Sequence, residues 1–202
     1  MKRLFAAAVA GLSLLLGGCA TTVTSQVTTF HQWPANLADK TYVFDAPPPQ
    51  DDTLEYRSYQ NLVRGELEHL GFHDAGAAGK PTLAVSMCFM ATDIPVRVIA
   101  VSPPFYYDHW GWMRPYRYGY WYDPFWYGRV DDYIEHQYRR ELQIGIRSIP
   151  DGKRLFDVTV GNLSRNASTP EIMPALVRSA FEGFPGPSGQ ARVVELKLEP
   201  KQ

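Results

Sequence analysis

The groups with intrinsic reactivity in this 202-residue chain are sparse, and their spacing offers little chemistry. His69 and His73 stand four apart, the interval at which two side chains on one helical face can share a metal ion. Gly71 falls between them, ends any helix that would hold them both, and leaves them without a third ligand nearby. Asp131, Asp132, Glu135 and His136 make an acidic cluster. Adjacent side chains on a strand point to opposite faces, so Asp131 and Asp132 cannot converge there. A turn followed by a wet strand face accounts for them. The "GPSG" at residues 186–189 follows a helix end and not a strand, so it is no nucleophile elbow. No glycine-rich phosphate loop occurs. This inventory predicts a non-catalytic protein with no metal and no cofactor.

The unusual stretch is Pro103–Tyr127, "PPFYYDHWGWMRPYRYGYWYDPFWY", in which thirteen of 25 residues are aromatic and none is Val, Ile or Leu. Three roles fit it. The rings could pack on one another and over a sheet, with Arg114 and Arg117 stacked between them. Its four Pro and two Gly favour an irregular loop, and cores are built from the aliphatics it lacks. Alternatively it is a contact surface, because Tyr, Trp and Arg give large area with few rotamers to freeze. The residues of that surface would be Tyr106, Tyr107, Trp110, Trp112, Arg114, Tyr116, Arg117, Tyr118, Tyr120, Trp121, Tyr122 and Trp126. Its partner would be an envelope protein or a glycan, whose sugar faces stack on rings while Asp108, Asp123 or Arg114 bonds hydroxyls. The third role is a bilayer interface, where Trp and Tyr concentrate. An enzyme acting on an envelope polymer such as a glycan is the alternative of a different class. It would need acidic residues lining a groove beside the rings.

The envelope enters through the N-terminus. Lys2 and Arg3 precede an apolar run, Leu4–Leu16, of thirteen residues, too short to span a bilayer. Leu16-Gly17-Gly18-Cys19 follows and resembles the lipobox of bacterial lipoproteins. The resemblance implies that residues 1–18 are a signal peptide removed before Cys19, which then carries lipid. Several acyl chains on one residue suffice for stable anchoring. Ala20, in place of an Asp, leans toward the outer membrane, on its periplasmic side. With Cys19 lipidated, Cys88 is the only other cysteine, so no intrachain disulfide and no thiolate metal cage can form. Cys88 lies in "LAVSMCFM" and is expected to act as a small buried hydrophobe. The net charge of −1 leaves no basic surplus for nucleic acid, and 45% hydrophobic residues suit a globular domain.

The elements behind these residues follow from periodicity. Residues 19–40 read as the lipidated Cys and a Thr-rich tether, with room for an edge strand around Val23, Val27 and Phe30. "TYVFDA" is a short strand stopped by Pro47. Asp52–Leu70 reads as a helix capped by Asp52 with Glu55 closing a capping box, and with Tyr59, Leu62, Val63, Leu67 and Leu70 on its apolar face. Gly65 within it suggests close approach to the sheet. "PTLAVSMCFM" is a strand that "IPVRVIAV" could extend. Tyr133–Ile149 alternates most cleanly, with Ile134, Tyr138, Leu142, Ile144 and Ile146 on the buried face. Pro150-Asp151-Gly152 turns it back into "RLFDVTVG". A second helix spans about Thr169–Phe184, and "ARVVELKLE" is the last strand. The sum is one α+β domain over residues 41–202. Its mixed, mainly antiparallel sheet of five to six strands has two helices on one face, plus an aromatic-rich loop insertion over residues 103–130.

The order of "KTYVFDAP", "LEHLGFHDAG" leading into "PTLAVSM", a Tyr/Trp/Gly-rich insert, "IPDGKRLF" and "ALVRSAFEGFP" resembles bacterial lipoproteins carrying the domain of unknown function 4136. The resemblance covers the mature chain and implies fold and location, with no established activity. The chain departs from that pattern at Arg139-Arg140-Glu141, where a smaller Gly-Thr-like pair is expected, and at Phe156, where many relatives carry Trp.

Overall fold

The computed structural model describes residues 22–34, 37, 39–76, 79–102 and 129–198. Seven strands and two helices follow one another. They are β1 (Thr22–His31), β2 (Thr41–Phe44), α1 (Leu54–His69), β3 (His73–Asp74), β4 (Leu83–Ser102), β5 (Arg129–Ser148), β6 (Arg154–Ser164), α2 (Thr169–Phe181) and β7 (Ala191–Lys197). They make one mixed sheet in the order β3-β2-β4-β5-β6-β1-β7. β2 pairs in parallel with β3 and β4, and every other pairing is antiparallel. The architecture is α+β as expected, with seven strands in place of five to six.

Two short or disguised strands explain the difference. β3 has two residues, too few to show a period. β1 occupies residues 22–31 of the segment expected as a tether with room for an edge strand, and it is not an edge. It hydrogen-bonds to β6 on one side and β7 on the other. Its core-facing positions are Val23, Ser25, Val27 and Thr29, all buried. Half of that buried stripe is polar, which hides the alternation from a hydrophobicity reading. β5 also begins earlier than expected, so Arg129 and Val130 belong to the strand and not to the insertion.

The core lies between the sheet and the helices. Val27, Leu83, Val85, Leu142, Ile144, Ile146, Val158 and Val160 meet Tyr56, Tyr59, Val63 and Leu67 of α1 and Ile172, Met173, Leu176, Val177 and Phe181 of α2 in one cluster. α1 starts one residue later than expected. Thr53 is the cap, its Oγ1 accepting from the Tyr56 amide at 3.1 Å. Asp52 instead pairs with Arg57, and the Glu55 carboxylate accepts from the Tyr59 hydroxyl at 2.6 Å, so no capping box forms. Gly65 meets nothing within 4 Å of an added Cβ, so the close approach expected there is absent. At the far end of the sheet Trp33, Phe72, Phe156 and Phe184 pack as one ring cluster, with Trp33 edge to face on Phe156 and on Phe184, the latter centred 4.9 Å away. Gly152, at φ 67°, makes the β5–β6 turn that its Pro-Asp-Gly signature predicts.

Cys88 overturns its expected burial. It is exposed, because even-numbered residues of β4 face away from the helices. With Ser86 it lies on the open sheet face, where Phe30, Asp157, Gly145 and Ser86 form one row across four strands. A Cβ on Gly145 would stand 2.8 Å from Ser86 Oγ and 2.9 Å from Asp157 Oδ1, so the two side chains close over a position without one.

Tyr42 is fully buried on β2, and its hydroxyl has no hydrogen-bond partner among the described residues. Burial, reinforced by the Asp74 charge, pushes its pKa up to about 12. An unfolded tyrosine ionises near pH ~10. Between these values the unfolded chain loses the proton first, so this contribution is intact below about pH 10 and lost as pH rises toward 12. Tyr42→Phe is therefore expected to be neutral or stabilising at pH 7 and to flatten the alkaline loss of stability. Urea unfolding across that pH range checks it.

Candidate functional site

β4 and β5 are longer than the sheet that houses them. β2 pairs with β4 only over Leu83–Val85, and β6 pairs with β5 no further than Tyr138. Beyond that the two strands continue as a two-stranded ribbon, from Ile94 opposite Gln137 to Ser102 opposite Arg129. At ~3.3 Å per residue this arm is roughly 30 Å long. The segment expected as the aromatic insertion joins its two ends. All twelve candidate surface residues, Tyr106 to Trp126, lie outside the described residues, as does Cys19.

Opposed residues of an antiparallel pair share a face. One face of the arm carries Pro95, Arg97 and Ile99 opposite His136, Ile134 and Asp132; the other carries Ile94, Val96 and Val98 opposite Gln137, Glu135 and Tyr133. The charges are paired. Arg97 forks onto Asp132 and holds its carboxyl below the ordinary range. His136 Nδ1 is 2.9 Å from Asp93, and Arg165 pairs with Glu135. Large apolar side chains stay exposed: Ile99 at 62%, Ile134 at 64% and Tyr133 at 51%. The free edge of β4 is blunted. The Val85 carbonyl accepts from the Asp45 amide and the Met87 carbonyl from the Tyr56 hydroxyl, so odd-numbered residues turn their backbone groups outward. Pro95 falls in that phase and offers no donor, which discourages pairing with a further strand.

At the root of the arm sits Arg140, a position outside the expected surface. It is 1% exposed. Its Nε donates to Thr169 Oγ1 and its Nη1 to Ser164 Oγ, both at 3.1 Å, and its Nη2 donates to the Asn166 carbonyl at 2.5 Å. The guanidinium also lies 5.7 Å from the Tyr138 ring centre. Among the described residues no carboxylate pairs with it, and burial lowers its pKa against the opposing influence of Tyr59 and Tyr138. A guanidinium stays charged nonetheless. Asn162 stands opposite it in register, donating to the Thr24 carbonyl at 2.9 Å. Parity could have found Arg140, since it shares its phase on β5 with Tyr138 and Leu142. Its charge argued the other way.

The remaining candidates are not assembled. His69 ends α1 and His73 lies on β3, both exposed. Among the described residues no group of three or more His, Cys, Asp or Glu is placed to hold a metal ion. Asp131 and Asp132 take opposite faces of the arm, as their adjacency requires. No helix among the described residues is long and apolar enough to cross a membrane.

Fold and arm together define a class: an α+β sheet protein that extends one hairpin beyond its core. Residues 26–186 match the family described as domain of unknown function (DUF4136), and the chain belongs to that family. No curated protein matches the chain. Among solved structures it is similar to a PDZ domain protein from Parabacteroides distasonis, at 12% identity and a TM-score of 0.52 over 92% of this chain. The chain spans only 41% of that protein's length, and the likeness is one of fold. A PelC dodecamer from Paraburkholderia phytofirmans matches at 10% identity and a TM-score of 0.46, covering 82% of this chain and 99% of that one.

Arg140→Ala would leave two hydroxyls and a carbonyl without their donor and open a void beneath α2. The expected cost is about 2–4 kcal/mol. Arg140→Met, which refills the void, is expected to recover part of it; denaturant unfolding of the two variants measures the difference.

Proposed function

We propose that this chain is a lipid-anchored protein of the bacterial envelope, held by Cys19 on the periplasmic side of the outer membrane. In this reading it is a non-catalytic binding or scaffolding module. Its contact surface is the aromatic insertion, centred on residues such as Tyr107, Trp110, Trp112, Tyr120, Trp121 and Trp126. The observation that carries the reading is the arm. The aromatic stretch is spliced between Ser102 and Arg129, register partners at the end of a ribbon that has left the core. The described core cluster is built chiefly from residues of the sheet and the two helices. A ring-rich segment joined to the ends of a ribbon that outruns its sheet suits a partner surface, where Tyr, Trp and Arg dominate binding energy. An envelope protein is the favoured partner, with a glycan next.

Two experiments test this. Cys19→Ser is expected to move the protein from the membrane to the soluble fraction; unchanged partition would remove the anchor. Deleting residues 103–127 is expected to leave a cooperative thermal transition and to abolish cross-linking to envelope proteins in cells and pelleting with purified murein. If cross-linking or pelleting survives the deletion, the insertion is not the contact surface. If the cooperative transition is lost, the rings are part of the core.

A further inference from the structure

We infer that residues 164–169, the end of β6, its connection to α2 and the first residue of α2, form a clamp that grips the arm at its root from both faces of β5 and fixes the arm's direction to α2. On the core-facing side Arg140 reaches out of β5 and is held by Ser164, Asn166 and Thr169. On the opposite side Glu135, an odd-numbered position of the same strand, is held by Arg165. Side chains of odd and even positions leave a strand on opposite faces. One short connection thus closes over β5 above and below, near the point where β6 stops pairing at Tyr138.

The grip is stiff because the connection is braced within itself. Asn166 Oδ1 accepts from the Ser168 amide at 2.7 Å, and Asn166 Nδ2 donates to Glu171 in the first turn of α2 at 3.2 Å. α2 in turn is buried along most of its length against the sheet. A two-stranded ribbon leaving a sheet has no partner of its own to set its angle. Here the inner bond set is buried, where a guanidinium left without its acceptors is costly, so the arm and α2 move as one body. Arg140 is a positioning residue in this device: it touches no ligand, and it sets where the end of the arm points. That consequence rests on the binding reading above, while the clamp itself does not.

The test measures the arm's direction in the absence of any partner. Spin labels are placed at Ile99→Cys on the arm and Glu195→Cys on β7, in the full-length chain carrying Cys19→Ser and Cys88→Ser. Pulsed electron-spin distance measurement is expected to give one narrow distribution. Arg165→Ala, a surface change that leaves the core intact, is expected to widen it. Arg140→Met, checked for a cooperative melt, is expected to widen it further, about two-fold or more. A width unchanged in Arg165→Ala overturns the two-sided clamp even if Arg140→Met fails to fold. A width unchanged in a folded Arg140→Met chain overturns it from the inside. Loss of partner binding on deleting residues 103–127 is read separately, so either idea can fail alone.

Discussion

β4 and β5 run opposite each other over twenty residues without a slip in register. The rest of the molecule is arranged around that pairing. Because register fixes which side chains share a face, the same alternation that buries Val85, Met87, Leu142 and Ile144 under the helices continues where no helix covers it. The ladder alternates identically in both halves, and only the cover differs. Inside the sheet the pair is flanked by β2 and β6. Outside, ion pairs and a proline join the apolar residues, and Ile99, Ile134 and Tyr133 stay exposed.

That change of environment concentrates unusual chemistry at the boundary. Arg140 is the last fully buried core-facing residue before the arm, too deep to be solvated and served only by neutral oxygens. Burying a cation there is tolerable because each guanidinium nitrogen has an oxygen to donate to. The arm beyond is held together by the exposed Arg97–Asp132 ion pair and by the contact of His136 Nδ1 with Asp93. Salt screens such exposed charges far more than it screens the buried root. The arm's cross-strand support is therefore salt-sensitive, while its attachment is not.

Much of the fold could be read from periodicity because its carriers are aliphatic. Leu142, Ile144 and Ile146 mark β5, and Val63 and Leu67 mark α1, without ambiguity. Legibility fails where buried positions are polar or exposed ones are apolar. Ser25 and Thr29 disguise β1, Cys88 looks like a core residue and faces solvent, and Arg140 looks like a surface residue and is buried. The capping box of α1 failed for a different reason. With Thr53 as the cap, Glu55 stands two residues in and not three, and its carboxylate takes the Tyr59 hydroxyl.

By itself the sequence determined the α+β class, the position of both helices, the β5–β6 hairpin and the family's order of elements. These depend on local propensity and on which side of a strand a residue falls, and both are properties of neighbours along the chain. Only the tertiary structure decided that β1 is an inner strand, that two strands outrun their sheet, and that one connection meets β5 on both faces. Those outcomes depend on which strands become neighbours across the sheet and where each pairing stops. Strand order and pairing length join residues far apart in sequence, and no local pattern encodes where a partner will end.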